Sequence, residues 1–245
     1  MKVLQQLLGS LTTDRQVTAG TVGPHLIAIA SMRLGLAANL HSPGCHGITL
    51  PTELGTLLGR SALELTHQLL HEDQLQAGIG MAALNSLLDV GREPLVEINA
   101  KQIVADRATG KNLVVVGHFP FVEALRPKVR NLWIMEKRPR LGDLSEEEGY
   151  KVLAMADVVA VTATSLINHT FDRIIASCRP GSFKVMLGPS TPLSPILFDF
   201  GLDVIGGALV KDEGTVLTMV ERGIPFRRLK GVRTVVMAKN APLKP

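Results

Sequence analysis

In this 245-residue chain the residue types best suited to chemistry gather in one stretch: Gly117-His118-Phe119-Pro120, then Glu136-Lys137-Arg138-Pro139 and Gly142-Asp143. Gly117 ends one apolar run and Glu136 ends the next, about 20 residues on. In a dinucleotide fold that spacing separates the first glycine turn from the acid that binds ribose hydroxyls. The full glycine fingerprint is absent: His118, Phe119, Pro120 and Phe121 stand where further glycines would let backbone approach a pyrophosphate. The pattern indicates the scaffold and argues against ordinary NAD binding. Glu136 either accepts hydrogen bonds from vicinal hydroxyls or pairs with Lys137 or Arg138, and its position leaves both open.

Ligands of open α/β sheets sit beyond the carboxyl ends of the strands, so the other strand ends carry the remaining candidates. Thr162-Ala163-Thr164-Ser165, with Asn168 beyond, could bind an anion at a helix start, or simply cap that helix through Ser165 or Asn168. Gly188-Pro189-Ser190-Thr191-Pro192 begins a proline-stiffened loop with free hydroxyls, suited to ligand contact or to a rigid crossover. Gly206-Gly207 marks either a close ligand approach or a bulge. For metals, His67 and His71 would share a face of a continuous helix beside Glu72, and His41, Cys45 and His46 share a loop, although a plain turn explains that loop as well. The chain lacks a P-loop, a G-x-S-x-G nucleophile elbow and a Cys-x-x-Cys pair. Walker-type phosphoryl transfer, esterase chemistry and dithiol redox are therefore disfavoured.

The elements that must position these residues fall into two groups. The N-terminus, MKVLQQLLGSLTTDRQ, reads as an amphipathic helix. His25 to Leu40 reads as a hairpin with Gly35 in its turn, and Pro51 to about Val90 has the three-and-four spacing of helices. Gly91 to Pro94 breaks that pattern and marks the linker. Beyond it a helix from Ala100 to Thr109 stops at Gly110, and Val-rich strands then alternate with helices. Those strands are LVVVG, VRNLWIMEK, DVVAVTA, FKVMLG, LDVIGGALV and VRTVVMA; the intervening helices are VEALRPKV, SEEEGYKVLAMA (opening on a Ser145/Glu148 capping box), NHTFDRIIASC, PILFDF and DEGTVLTMVERG. Continuously apolar strands alternating with helices predict a doubly wound parallel sheet covered on both faces.

Composition narrows the function classes. Hydrophobic residues make up 46% and charged residues 20% of the chain, as in ordinary globular proteins. No apolar run is long enough to span a bilayer. The net charge of +4 is spread out and aromatics are only 4%, unlike a nucleic-acid surface. Two cysteines, Cys45 and Cys178, fit a reducing compartment, and the expectation is a cytoplasmic protein with neither membrane nor nucleic-acid partner, acting on a small-molecule ligand, with homo-oligomerisation allowed.

Taken together, Gly78-Ile79-Gly80-Met81-Ala82-Ala83-Leu84-Asn85, Gly117-His118-Phe119-Pro120, Glu136-Lys137-x-Pro139-x-x-Gly142-Asp143, Thr162-x-Thr164-x-x-x-Asn168 and Gly188-Pro189-Ser190-Thr191-Pro192 resemble a family of uncharacterised bacterial and archaeal proteins named for heavy-metal chelation. The resemblance covers most of the chain. It implies a small α+β domain similar to the N-terminal domain of enolases, residues 1–92, followed by a Rossmann-like α/β domain, residues 93–245, with the site in the cleft between them. It further implies a role around metal-chelating, pterin-like or nucleoside-like molecules, with an adenosyl or nucleotide-like ligand or a metal chelate as the bound group. No protein metal ligand set comes with it, so a metal is expected to be held by the small molecule; a non-enzymatic metal or metal-complex binder is the alternative. On this basis Glu136 and Asp143 are the candidate acid/base or hydroxyl-binding carboxylates, and Lys137 the residue that orients an anion. Asn85, Gly117, His118, Phe119, Pro139, Thr162, Thr164, Asn168, Gly188, Pro189, Ser190 and Thr191 are the candidate ligand contacts.

Overall fold

A computed structural model describes residues 1–40, 57–91, 95–98 and 100–239. It contains two sheets. The first has three antiparallel strands in the order β1 (Ala19–Val22), β2 (Leu26–Ala30), β3 (Leu34–Ala38). Around it lie α1 (Lys2–Gly9), the short α2 (Ala62–Thr66) running into a 3₁₀ turn at His67–Leu70, and α3 (Gln74–Leu87). Asp73 starts α3 by accepting the Leu75 and Gln76 backbone N–H groups at 3.0 and 2.9 Å, the usual role of an acidic N-cap.

The second sheet has six strands ordered β5-β4-β6-β7-β8-β9. They are β4 (Asn112–Val116), β5 (Asn131–Met135), β6 (Val158–Thr162), β7 (Phe183–Leu187), β8 (Val204–Val210) and β9 (Val232–Ala238). The helices between and before them are α4 (Ala100–Ala108), α5 (Glu146–Leu153), α6 (Thr164–Ile167), α7 (Phe171–Ser177), α8 (Ile196–Asp199) and α9 (Glu213–Glu221). The expected capping box is present: the Ser145 hydroxyl accepts the Glu148 backbone N–H, while the Glu148 carboxylate accepts the Ser145 backbone N–H.

Strand side chains alternate between two apolar layers, as their period of two requires. Val114, Val116, Val159, Val161 and Met186 face α5 to α8, whereas Leu113, Val115, Val158, Ala160 and Val185 face α4 and the 3₁₀ segment at Glu123–Lys128. The first layer does not stop at the edge of the large sheet. It continues through Val3, Leu4, Ile27, Ile29, Met81 and Leu84, so the two sheets share one apolar core. On the opposite face of the small sheet, Leu26, Ala28 and Leu36 pack against Val216 and Val220 of α9, a helix from the distant end of the chain.

Four expectations are corrected. Gly35 lies inside β3 and the turn is Ser31 to Arg33; a Cβ at Gly35 would stand 2.1 Å from the Ala82 carbonyl oxygen, so this glycine serves the approach of α3 to the strand. The sixth strand, β9, runs antiparallel to β8, closing the otherwise parallel sheet with a reversed edge. The VEALRPKV segment forms a 3₁₀ helix containing Pro127, whose missing N–H disfavours an α-helix there. His67 and His71 do not share a helical face, because α2 ends at Thr66 and His71 is extended. β1 is an additional strand with only partial burial, which weakens its apolar signal.

Candidate functional site

The sheet order places β5 on one side of β4 and β6 on the other, so the connection leaving the carboxyl end of β4 runs towards β5 while the one leaving that end of its neighbour β6 runs the opposite way, towards β7. Such a switch point opens a crevice there. A cavity of about 440 Å³ lies at this end of β4, β5 and β6, lined by Gly117, His118, Glu136, Lys137, Thr162, Thr164 and Asn168 among others. The N-terminal part contributes Leu40 and Gln74, and the segment after Asp143 contributes Glu146. Residues from separate parts of the sequence thus converge on one space of ligand size.

Gly117 sets the geometry of the β4 end. Its φ is +99°, in the left-handed range that favours glycine, and its N–H donates to the Met135 carbonyl at 3.0 Å. A Cβ there would come within 2.9 Å of Thr162 Cγ2. The chain then presents His118, whose Nε2 lies 2.7 Å from Asp143 Oδ2. The Asp143 side chain is only 4% exposed and the His118 ring 28%, so the pair runs from interior to mouth.

Asp143 is held by a loop that folds back on itself. Leu144 N–H donates to the Ile134 carbonyl at 2.7 Å and Glu136 N–H to the Leu144 carbonyl at 3.0 Å, closing the excursion from Glu136 to Asp143. Arg140 N–H adds a hydrogen bond to Asp143 Oδ2 at 2.8 Å. Burial opposes ionisation of Asp143, but the hydrogen bonds from His118 and Arg140 outweigh it and hold the carboxyl below its usual range. An ionised carboxylate only accepts, so Nε2 of His118 carries the shared proton, and in the neutral ring Nδ1 is left as the basic nitrogen.

The opposite wall is hydroxyl-rich. Thr162 and Thr164 hydroxyls lie 2.9 Å apart, Ser165 donates to the Thr162 carbonyl at 2.7 Å, and Asn168 Oδ1 accepts the Thr170 hydroxyl at 2.7 Å. Asn168 therefore ends α6 instead of starting the next helix, and His169 takes φ +61° as the chain turns. Thr170 N–H returns to the Ser165 carbonyl at 2.9 Å, the long bond of a Schellman stop. The Glu136 carboxylate accepts the Lys137 backbone N–H at 3.1 Å.

A second cavity of about 380 Å³ shares His118 and Thr162 with the first and extends towards β7, β8 and β9. Phe119, Gly188 and Pro189 line it, together with Phe121, Phe226 and Thr234. Gly206 and Gly207 also line it and remain in regular pairing with Val236 and Val235, which removes the bulge reading.

The remaining candidates take other places. Asn85 donates through Nδ2 to the Leu36 and Ser190 carbonyls, and the Ser190 hydroxyl accepts the Ala38 N–H at 2.8 Å. Asn85 and Ser190 thereby tie β3 and α3 to the loop after β7, and with Thr191 they stand outside the walls of both large cavities. Pro139 is exposed at the loop tip. Cys178 is a free thiol that burial pushes up to about 11, too weakly acidic to be a reactive thiolate. Among the described residues no three His, Cys, Asp or Glu side chains converge as a metal site, so the described donors do not fit a resident metal. His41, Cys45, His46 and the Gly91–Pro94 linker lie wholly or partly outside the described residues.

Sequence reasoning missed Gln74, Leu40, Glu146, Phe121, Phe226 and Thr234 as cavity walls. Glu146 and Phe121 carried nearby signals, one following the Ser145 cap and the other adjoining Gly117-His118-Phe119-Pro120; the others arrive through tertiary folding from segments without a motif. Among the described residues no helix is long and apolar enough to cross a membrane.

Residues 99–239 and 4–88 each match a family described as "Putative heavy-metal chelation". A crystal structure of a DUF364-family protein of unknown function from Desulfitobacterium hafniense superimposes with a TM-score of 0.86 at 26% identity, covering 97% of this chain and 98% of that one. A second DUF364-family protein of unknown function, from Pyrococcus horikoshii, gives 0.77 at 17% identity over 97% and 98%, and shares the fold. An uncharacterised protein of Methanocaldococcus jannaschii is 28% identical over 168 residues, spanning 65% of this chain and 64% of that protein.

Proposed function

The chain belongs to the heavy-metal chelation family, and from that premise we propose that it binds and acts on a small polar molecule, metal-chelating or of pterin or nucleoside type, in the cleft at the carboxyl end of the sheet. Residues 1–92, in this reading an enolase-N-terminal-like domain, and residues 93–245, a Rossmann-like domain, form the two sides of that cleft. The observation that carries the reading is the 440 Å³ cavity at the switch point, where an imidazole backed by a buried carboxylate meets a glutamate, a lysine and paired threonine hydroxyls.

Each residue has a distinct task. Glu136 accepts hydrogen bonds from ligand hydroxyls, and Lys137 orients an anionic group. Thr162, Thr164 and Asn168 supply neutral hydrogen bonds. Asp143 fixes the tautomer and orientation of His118, whose Nδ1 takes a proton from the bound molecule and later returns it. A metal reaches the cleft as cargo, already held by the small molecule.

Calorimetry of the purified chain against nucleosides, adenosyl cofactors, pterins and metal chelates tests this. One of these classes is expected to bind, with Glu136→Ala weakening it by about tenfold, the scale of one hydrogen-bond partner lost to a charged group. Wild-type affinity in Glu136→Ala would remove the role given to this residue, and failure of every class to bind would remove the reading.

A further inference from the structure

The second cavity differs from the first in kind. Aromatic residues are scarce in this chain, with seven phenylalanines, one tyrosine and one tryptophan, yet three of those phenylalanines, Phe119, Phe121 and Phe226, line this single 380 Å³ space. Phe119 and Phe121 are stacked, with ring centroids 5.5 Å apart and an interplanar angle of 26°. Gly206 and Gly207 also line it, with the room a side chain would take closed by Ala100 and Leu187 at Gly206 and by Leu193 and Thr191 at Gly207. Stacked aromatic faces suit a flat ring, which gains dispersion and quadrupole contacts on its faces.

The two cavities also share a boundary. His118 and Thr162 line both, so one molecule passing between these side chains would occupy the polar and the aromatic space at once. We propose that the cleft is bipartite: the aromatic cavity is a subsite for a planar bicyclic heteroaromatic ring, and the ring's hydroxylated, anionic tail crosses His118 and Thr162 into the polar cavity. This rests on the polar-cleft reading above and adds the ring subsite to it. His118 then stands at the junction of ring and tail, which is where its proton transfer would take place.

Ligand-observed NMR and calorimetry with adenine, ribose 5-phosphate and adenosine monophosphate as probes separate the two parts. Adenosine monophosphate is expected to bind more tightly than either fragment. Phe121→Leu, which keeps apolar bulk and removes the ring, is expected to weaken adenine and adenosine monophosphate by about tenfold, in line with the loss of one base-stacking partner, and to leave ribose 5-phosphate unchanged. Thr234→Trp, an exposed β9 position, fills the aromatic cavity by an independent route and should give the same pattern, with both variants checked for wild-type melting. If ribose 5-phosphate binds and responds to Glu136→Ala while neither Phe121→Leu nor Thr234→Trp affects the ring-bearing probes, the aromatic subsite is overturned and the polar cleft stands. If none of the three probes binds at millimolar concentration, the ring-and-tail proposal falls for this ligand class.

Discussion

Asp143 carries the clearest single-residue prediction. Its side chain is almost wholly buried and its carboxyl is held low by hydrogen bonds from His118 and Arg140. A carboxyl whose folded value lies below its unfolded one contributes stability that is present above the unfolded value, 3.8, and lost as pH falls through the lower folded value. Asp143→Asn should therefore cost about 1–2 kcal/mol near neutral pH, the scale of a hydrogen bond to a charged group, with the deficit shrinking in acid below the folded value. Urea titrations of both proteins across that range check it; a constant deficit would mean that charge is not the cause. Gly117→Ala should cost at least about 1 kcal/mol, because φ of +99° strains any side chain and the added carbon meets Thr162. The same contact narrows the boundary between the cavities, so binding should suffer more than stability. At this scale the sequence exposed Gly117, His118, Glu136, Thr162, Thr164 and Asn168, since strand-end residues announce themselves by ending apolar runs. It did not expose Phe226 or Gln74, which reach the cavities only through the path of the whole chain. Nor could it show that Asn85 would spend its amide on the Leu36 and Ser190 carbonyls.

Among the elements, α5 links local sequence to the site most directly. Its capping box at Ser145 and Glu148 was legible in four residues, and the helix begins with Glu146 at the cavity wall, two residues after the loop that carries Asp143 closes on β5. Ser145→Ala removes one side of that box and should lower stability by about 1 kcal/mol, read as a shift in the urea midpoint without change in slope. Because the loop and the helix start are adjoining, the variant should also weaken ligands that depend on His118, whereas the Asp212→Ala cap variant at α9, a helix that lines neither cavity, should cost similar stability and affect them less. The Val-rich strands were legible for a related reason: burial on both faces leaves runs that no exposed element carries. β9 shows the limit, since its Val-rich run reads like those of the parallel strands and only the return of residues 222–231 to the Val210 end of β8 reverses it. Gly35 shows another, as a glycine needed for helix approach looks the same in sequence as a glycine needed for a turn.

For the whole molecule, the composition shift near Gly91 marks two segments, but the apolar core does not respect it. Ile27, Met81 and Leu84 belong to the same buried layer as Val114, Val161 and Phe171, and α9 from the C-terminal part covers the outer face of the small sheet. A layer shared in this way couples the two parts energetically, since neither can lose its packing without exposing apolar surface of the other. Leu84 is fully buried in α3, and Leu84→Ala should cost about 2–5 kcal/mol by lost transfer energy and a residual cavity. The single tryptophan, Trp133, lies in β5, an edge strand of the large sheet in the C-terminal part, and packs against the shared layer. Coupling predicts that Leu84→Ala moves the Trp133 fluorescence transition as far as the far-ultraviolet circular dichroism transition. Independent units would leave the tryptophan midpoint at its wild-type value while the dichroism curve splits. A coupled outcome has a functional corollary: Leu40 and Gln74 would be held against the sheet before any ligand arrives, so the cleft binds without a closure step, and Leu84→Ala would lower affinity by loosening a wall that it does not touch.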